Sequence, residues 1–406
     1  MKNWATNDRR QGKVLFAAHS GQPGGAEYCL DVLLKGMDRS IWDAEVVFGC
    51  DGPLVDTPQV LGLPASVVTM SWWIGFEPSA WYWRNLVQSP WRIAWLARKL
   101  KAQKFDLVYT NTAAIFEAGL AARLAGIPHV WHVHEMLTPT YWRSLVPLRV
   151  ICRCILRWSD AIIFESRAAH QAFQDYVGEY PASIRREQSR EVYVVPNPLR
   201  MITPPVTSEG RCRARQTLGI AEDEFVILWV GQFIPRKNPR LMLSAYRKSC
   251  ICDKSILFML GDGPLRAELM RDLAEDDSTT KKVILDGFKA KIDVYFQAAD
   301  VLVLTSSEES FGLVLLEAAA FSLPVIATDS GGPRDIVDHG KTGFIVPPRD
   351  DVAIAKYLAV LAADRVLRER MGEAARQRVL NEFTAQRYVT TIQEIMVRAT
   401  RRRGDV

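Results

Sequence analysis

Continuous apolar, β-branched runs recur along the chain at intervals that leave room for a helix between them. They come in two series. The first is KVLFAAHS, AEVVFGC, SVVTM, DLVYTNT, HVWHVHE, DAIIFES and VYVVPNP; after a gap the second follows as FVILWVG, SILFMLGDG, KVILDG, DVLVLTSS, PVIATD and GFIVP. A strand with one wet face alternates apolar and polar side chains, whereas a strand covered on both faces is apolar throughout. Runs of the second kind separated by helical spacers specify parallel sheets flanked by helices. The expectation is therefore an α/β protein of two Rossmann-like doubly wound parallel-sheet domains facing a cleft. The polar, proline-bearing stretch from Thr203-Pro204-Pro205 to Glu209-Gly210 separates the series and reads as a linker, giving domains at 1–203 and 204–384. In such sheets ligands bind beyond the carboxyl ends of the strands.

The bulk composition narrows the setting. At 406 residues the chain is too long for one ordinary core. A formal net charge of +5 fits a polyanionic ligand or an anionic membrane surface and carries no nucleic-acid signature. Seven cysteines, with none in a CxxC pair, point to reduced thiols and a cytoplasmic protein. The polar N-terminus and the lack of an 18-residue apolar run predict no secretory signal and no membrane span, leaving a peripheral position at the inner membrane face open.

The stretch from Thr305 to Glu317, TSSEESFGLVLLE, holds two carboxylates eight residues apart across a strand-to-helix turn. Glu309 falls in the loop and Glu317 in the second helical turn. The N–H groups of Phe311, Gly312 and Leu313 lie between them at the positive end of the helix dipole. An anion belongs there, and carboxylates on either side suit a ligand carrying hydroxyls on both sides of a diphosphate. A capping acid followed by a solvated helix glutamate would read the same way.

Other strand ends converge on the same chemistry. The loop with Gly24 and Gly25 precedes a helix starting near Ala26 and lets backbone approach a phosphate or sugar, although a plain turn would look alike. Arg236 and Lys237 follow the strand ending at Gly231; fixed cations there would meet the charge that builds on a leaving diphosphate, or would be ordinary solvated charges. Gly261 and Gly263 punctuate the next strand end, and Phe288 with Lys289 closes another where a base could rest. His129, His132 and His134 share one strand, but period two splits them between faces, which argues against zinc. His134, at the carboxyl end, is the one placed at the cleft. Residues 72–104 hold half of the twelve tryptophans among basic residues, and Arg149, Arg153 and Arg157 recur every fourth residue; both fit an anionic bilayer surface or plain helix packing.

In the C-terminal half VGQFIPRKN, LGDGPLRAEL, the block from DGFKAKIDVYFQ to ATDSGG, and HGKTGFIVPPRD resemble successive motifs of the retaining glycosyltransferases of family 4, which have the GT-B fold. The GGAE loop and His134-Glu135 resemble it more loosely in the N-terminal half. The resemblance implies a metal-independent hexosyl transfer, with retention, from a nucleoside diphosphate sugar of UDP or GDP type to a glycan or lipid-linked acceptor, with no cofactor. It implies Glu309 on the donor sugar, Glu317 on the ribose, and Phe311, Gly312 and Leu313 as backbone donors. It places Lys237 on the diphosphate and His134 near the reacting carbon. It also implies a final helix, about 385–406, that returns to the first domain. Where the family carries an arginine, this chain has Gln232, and Arg236 is expected to supply that charge. The alternatives are a sugar-nucleotide epimerase of the same fold and a binding protein without turnover.

Overall fold

The computed structural model describes residues 11–75, 79–140, 142–178, 191–200, 206–275, 282–289 and 291–401. The chain divides into two compact units, Met1–Pro196 with Ala385–Val406, and Asn197–Thr384. This division comes after Pro196, seven residues before the boundary expected after 203. Residues Thr203 to Pro205 of the expected linker lie outside the described residues, as do 402–406 of the final helix.

In the first unit seven parallel strands, β1 (Gly12–Ala18), β2 (Trp42–Phe48), β3 (Ala65–Val67), β4 (Leu107–Thr110), β5 (His129–Val133), β6 (Ala161–Phe164) and β7 (Glu191–Val194), run in the order 3-2-1-4-5-6-7. Both faces are covered, which explains the continuous apolar runs: Val14, Phe16 and Ala18 enter one core while Leu15 and Ala17 enter another. The helix Ala385–Arg401 completes the first of these cores with Tyr388, Val389, Ile392, Ile395, Met396 and Ala399.

The second unit repeats the plan with β8 (Phe225–Val230), β9 (Ser255–Leu260), β10 (Val283–Leu285), β11 (Val301–Leu304), β12 (Val325–Thr328) and β13 (Gly343–Val346) in the order 10-9-8-11-12-13. Val226 and Leu228 pack on one face, Ile227 and Trp229 on the other. Asp300, just before β11, ties the amino ends of the central strands together. It accepts from the Val226 N–H at 2.8 Å, from Arg215 at 2.7 Å and from Arg211 at 2.7 Å. In each sheet the strand order reverses next to the first strand of the series, at β1/β4 and β8/β11. Such a reversal opens a crevice at the carboxyl ends because the flanking connections leave in opposite directions.

Candidate functional site

At the β8/β11 reversal two loops are stitched together by short polar bonds. Trp229 Nε1, inside the core, donates to Thr305 Oγ1 at 2.9 Å, and that hydroxyl lies 2.9 Å from the Lys237 carbonyl and 3.0 Å from that of Asn238. The Ser307 N–H donates to the Arg236 carbonyl at 2.9 Å. This stitching seats Lys237 Nζ on Glu309 Oε2 at 2.5 Å, with the Ser306 hydroxyl donating to the same oxygen at 2.8 Å. The backbone of Glu309 is pinned as well: its N–H donates to Ser330 O and its carbonyl accepts from Gly332 N–H. Burial opposes ionisation of Glu309, but the Lys237 charge and hydrogen bond, then Arg236 and Ser306, outweigh it and hold the carboxyl below its ordinary range. A buried, ionised carboxylate on a lysine is therefore the resting state. Lys237 has three donors, so two remain for an incoming anion.

Gly312 sits at φ +103 and opens the helix Leu313–Ala320, a left-handed conformation that only glycine adopts without strain. Phe311 is buried and packs toward Phe383. Glu317 is half-buried on this helix, and burial pushes its carboxyl up to about 7, with Arg200 pulling down and Asp293 adding to the rise. Phe288, after β10, is 78% exposed, which leaves its ring face open to stacking. The charge of Lys289 is committed to Asp286 at 3.0 Å. Gly261 and Gly263 are explained by packing between loops. A Cβ at Gly261 would stand 1.8 Å from the Gly231 carbonyl oxygen, and one at Gly263 2.7 Å from that of Phe233.

The β1/β4 reversal in the first unit holds a second polar cluster. The helix Gly25–Gly36 starts behind Gly24, and a Cβ on Gly24 would meet Glu27 Oε2 at 2.5 Å. The bare backbone there makes room for a buried carboxyl. Burial pushes Glu27 up to about 7, against its own backbone N–H and the His134 charge, while Glu135 adds to the rise. His19 Nδ1 lies 3.1 Å from Glu27 Oε1, and burial lowers this imidazole to about 4. His134 follows β5, with its ring centroid 3.9 Å from that of His132. His129 faces away and meets Thr110 Oγ1 at 2.8 Å, so the three histidines do not converge. Sequence reasoning passed over Asn111 and Glu165, and took His19 and Glu27 only as members of the loop after the first strand. The available signal was position, since Asn111 and Glu165 each directly follow a strand.

The tryptophan-rich region separates into two populations. Trp73 is buried, stacked 6.0 Å from Trp131 and 5.7 Å from Trp158. Trp81, Trp83, Trp91 and Trp95 are exposed on the helix Ala80–Ala102, whose inner face is Tyr82, Asn85, Ser89, Ile93, Leu96 and Leu100. Core packing thus accounts for the first population and not for the second.

Two doubly wound parallel sheets in separate units are the architecture of the GT-B class of glycosyltransferase. Residues 23–199 match the model of glycosyltransferase family 4 and residues 211–378 that of glycosyl transferases group 1. The chain belongs to the family 4 glycosyltransferases. It is 26% identical over 310 residues to the UDP-Gal:alpha-D-GlcNAc-diphosphoundecaprenol alpha-1,3-galactosyltransferase of Escherichia coli, covering 74% of this chain and 78% of that one. It is 29% identical over 317 residues to the D-inositol 3-phosphate glycosyltransferase of Xylanimonas cellulosilytica, covering 74% and 73%. Among solved structures, Anabaena HepE in complex with UDP-glucose superimposes with a TM-score of 0.76 at 25% identity, over 95% of this chain and 99% of that one.

Proposed function

We propose that the protein is a retaining, metal-independent hexosyltransferase that moves a sugar from a nucleoside diphosphate sugar to a glycan or lipid-linked acceptor. The observation that carries this reading is the Lys237–Glu309 pair, buried at the β8/β11 reversal beside the helix that bears Glu317. Glu309 would accept from sugar hydroxyls, the loop and first helical N–H groups from Phe311 to Leu313 would meet the phosphates, and Glu317 would accept from the ribose. Lys237 and Arg236 would neutralise the leaving diphosphate in place of a metal ion, with Arg236 compensating for Gln232. The Arg236 charge already acts on Glu309, which places it in the same field. Phe288 would lie against the base.

The donor class is supported by the UDP-glucose complex of HepE and by the UDP-galactose named for the Escherichia coli relative, so UDP is the nucleotide to test first and GDP the second. A lipid-linked acceptor is supported by the diphosphoundecaprenol in that relative's name and by the exposed indoles of the helix Ala80–Ala102. Among the described residues no helix is long and apolar enough to cross a membrane, so contact with lipid would be peripheral, at the cytoplasmic face. A thermal-shift screen against UDP, GDP and ADP sugars tests the donor assignment, because a ligand that binds only the folded state raises its stability. Stabilisation by UDP-hexoses with release of UDP on addition of acceptor is the expected result. Binding without turnover across acceptors would reject transferase activity, and no stabilisation by any nucleotide would reject the donor site.

A further inference from the structure

Both ring nitrogens of His134 meet an oxygen. Asn111 directly follows β4, and its Nδ2 donates to the Ala26 carbonyl at 2.8 Å. A backbone carbonyl only accepts, so that contact fixes which end of the amide is nitrogen. Oδ1 is then the end turned to His134 Nε2, 3.2 Å away. Oδ1 also only accepts, so Nε2 must carry a hydrogen. On the other side Nδ1 lies 3.2 Å from Glu165 Oε2, and one proton is shared along that line. A carboxylate only accepts, so the hydrogen on that line is the one Nδ1 donates.

We infer that Asn111 and Glu165 are positioning residues that hold His134 with hydrogen on both nitrogens, so that it enters the reaction as a fixed cation and not as a base. A ring with both N–H groups committed to oxygens has no lone pair with which to take a proton from an acceptor hydroxyl. The titratable groups facing it are His132, His19, Glu27 and Glu135. His132, stacked against it, is driven well below its ordinary value by burial and then by the His134 charge, and its Nδ1 pairs with Tyr109 OH at 2.7 Å. His19 is lowered to about 4 by the same two causes. Glu27 and Glu135 face it with acidic groups, and for each the His134 charge favours ionisation against the effect of burial. Glu135 also accepts from the His134 backbone N–H at 3.1 Å, fixing the residue at both ends.

The bearing on turnover rests on the glycosyl-transfer reading, but the protonation state does not. Two-bond proton–nitrogen correlation spectra of the full chain, labelled with nitrogen-15 at its six histidines, read each ring directly. His134 is assigned by its loss in His134→Gln or, should that variant fail to fold, by its response to Asn111→Ser. At neutral pH the wild type is expected to show both His134 nitrogens protonated. Glu165→Gln should convert it to the form with hydrogen on Nε2 alone, and Glu165→Asp should restore the doubly protonated form. With UDP-glucose as donor, Glu165→Gln should also move the alkaline limb of the turnover profile to lower pH while UDP affinity stays unchanged. A singly protonated His134 in the wild type, or the same spectrum in Glu165→Gln, overturns the inference. If Glu165→Gln does not fold, the wild-type spectrum decides alone. Lack of turnover with UDP-glucose beside a doubly protonated His134 would count against the donor and leave the positioning role standing.

Discussion

Glu309 and Lys237 are bonded to each other in the resting site, so each variant also changes the state of its partner. On the proposed reading Glu309→Ala would remove the acceptor of sugar hydroxyls and free the Lys237 ammonium for phosphate. Transfer should fall by about 10²- to 10³-fold while UDP binding, read by calorimetry, is kept or tightened. Unchanged turnover would remove Glu309 from the sugar site. Lys237→Ala should instead weaken UDP binding and slow transfer, at a cost of about 2–4 kcal/mol. Glu317 titrates where it matters. Its carboxyl is raised by burial from the ordinary 4.5 to about 7, so its contribution to folding stability is full below the unfolded value and is lost as pH rises through 7. On the proposed donor site binding would run the other way, because only a carboxylate would accept from both ribose hydroxyls. UDP affinity should be about tenfold weaker at pH 6 than on its alkaline plateau, and Glu317→Gln should flatten that dependence. A wild-type affinity that is flat between pH 6 and 8 would take Glu317 off the ribose.

At the scale of elements, the loops are where backbone packing and ligand contact compete for the same glycines. Gly261 has φ +145 and no room for a Cβ beside the Gly231 carbonyl, so Gly261→Ala should cost about 3 kcal/mol of stability, visible as a lowered melting temperature. An unchanged melt would show that the loop yields. The central strands were legible in the sequence because a parallel strand buried on both faces is apolar at every position, as in VLFAA and VILWV, while the partly buried edge strands Ala65–Val67, Glu191–Val194 and Val283–Leu285 were legible through their β-branched residues. Their order was not, since register and neighbours depend on pairs such as Val14 with Leu107 and Leu302 with Leu228, which lie far apart in the chain. The same distance hid the polar partners. Arg92 reads as one more cation on a basic helix, yet it is bonded to the buried Glu117 at 2.7 Å and to the Ser71 hydroxyl at 2.9 Å. Glu309 stood out in the sequence through its spacing from Glu317, a spacing that a capping acid and a solvated helix glutamate share. Ser306 and Thr305, which orient it, were visible only as members of a polar loop.

For the molecule as a whole, the first unit is assembled from two separate parts of the chain, and deleting residues 385–406 should unfold that unit selectively. Six side chains, from Tyr388 to Ala399, would leave its core, while the cores of the second unit draw only on residues before 384. Limited proteolysis should then leave a protected fragment near 197–384; equal protection of both halves would show that the helix contributes little. The first unit also bears the surface through which the molecule would meet a membrane. On the helix Ala80–Ala102, Trp83, Val87, Trp91 and Trp95 follow one another every fourth residue, and Trp91 is 71% exposed. The helix has no acidic residue, and Arg84, Arg98 and Lys101 lie among the indoles. A second helix, Leu148–Trp158, exposes Arg149, Arg153 and Arg157. Indole rings settle at the headgroup boundary, and each cation near an anionic surface adds about 1 kcal/mol. Binding should therefore need both components. The protein should co-sediment with vesicles containing phosphatidylglycerol and not with pure phosphatidylcholine, and Trp91→Ala with Trp95→Ala should weaken it at low ionic strength. High salt should release the wild type by screening the charge component, leaving the indoles too weak to hold it alone. Equal sedimentation with both lipids would dismiss the charge component, and an unaffected double variant would dismiss the stripe.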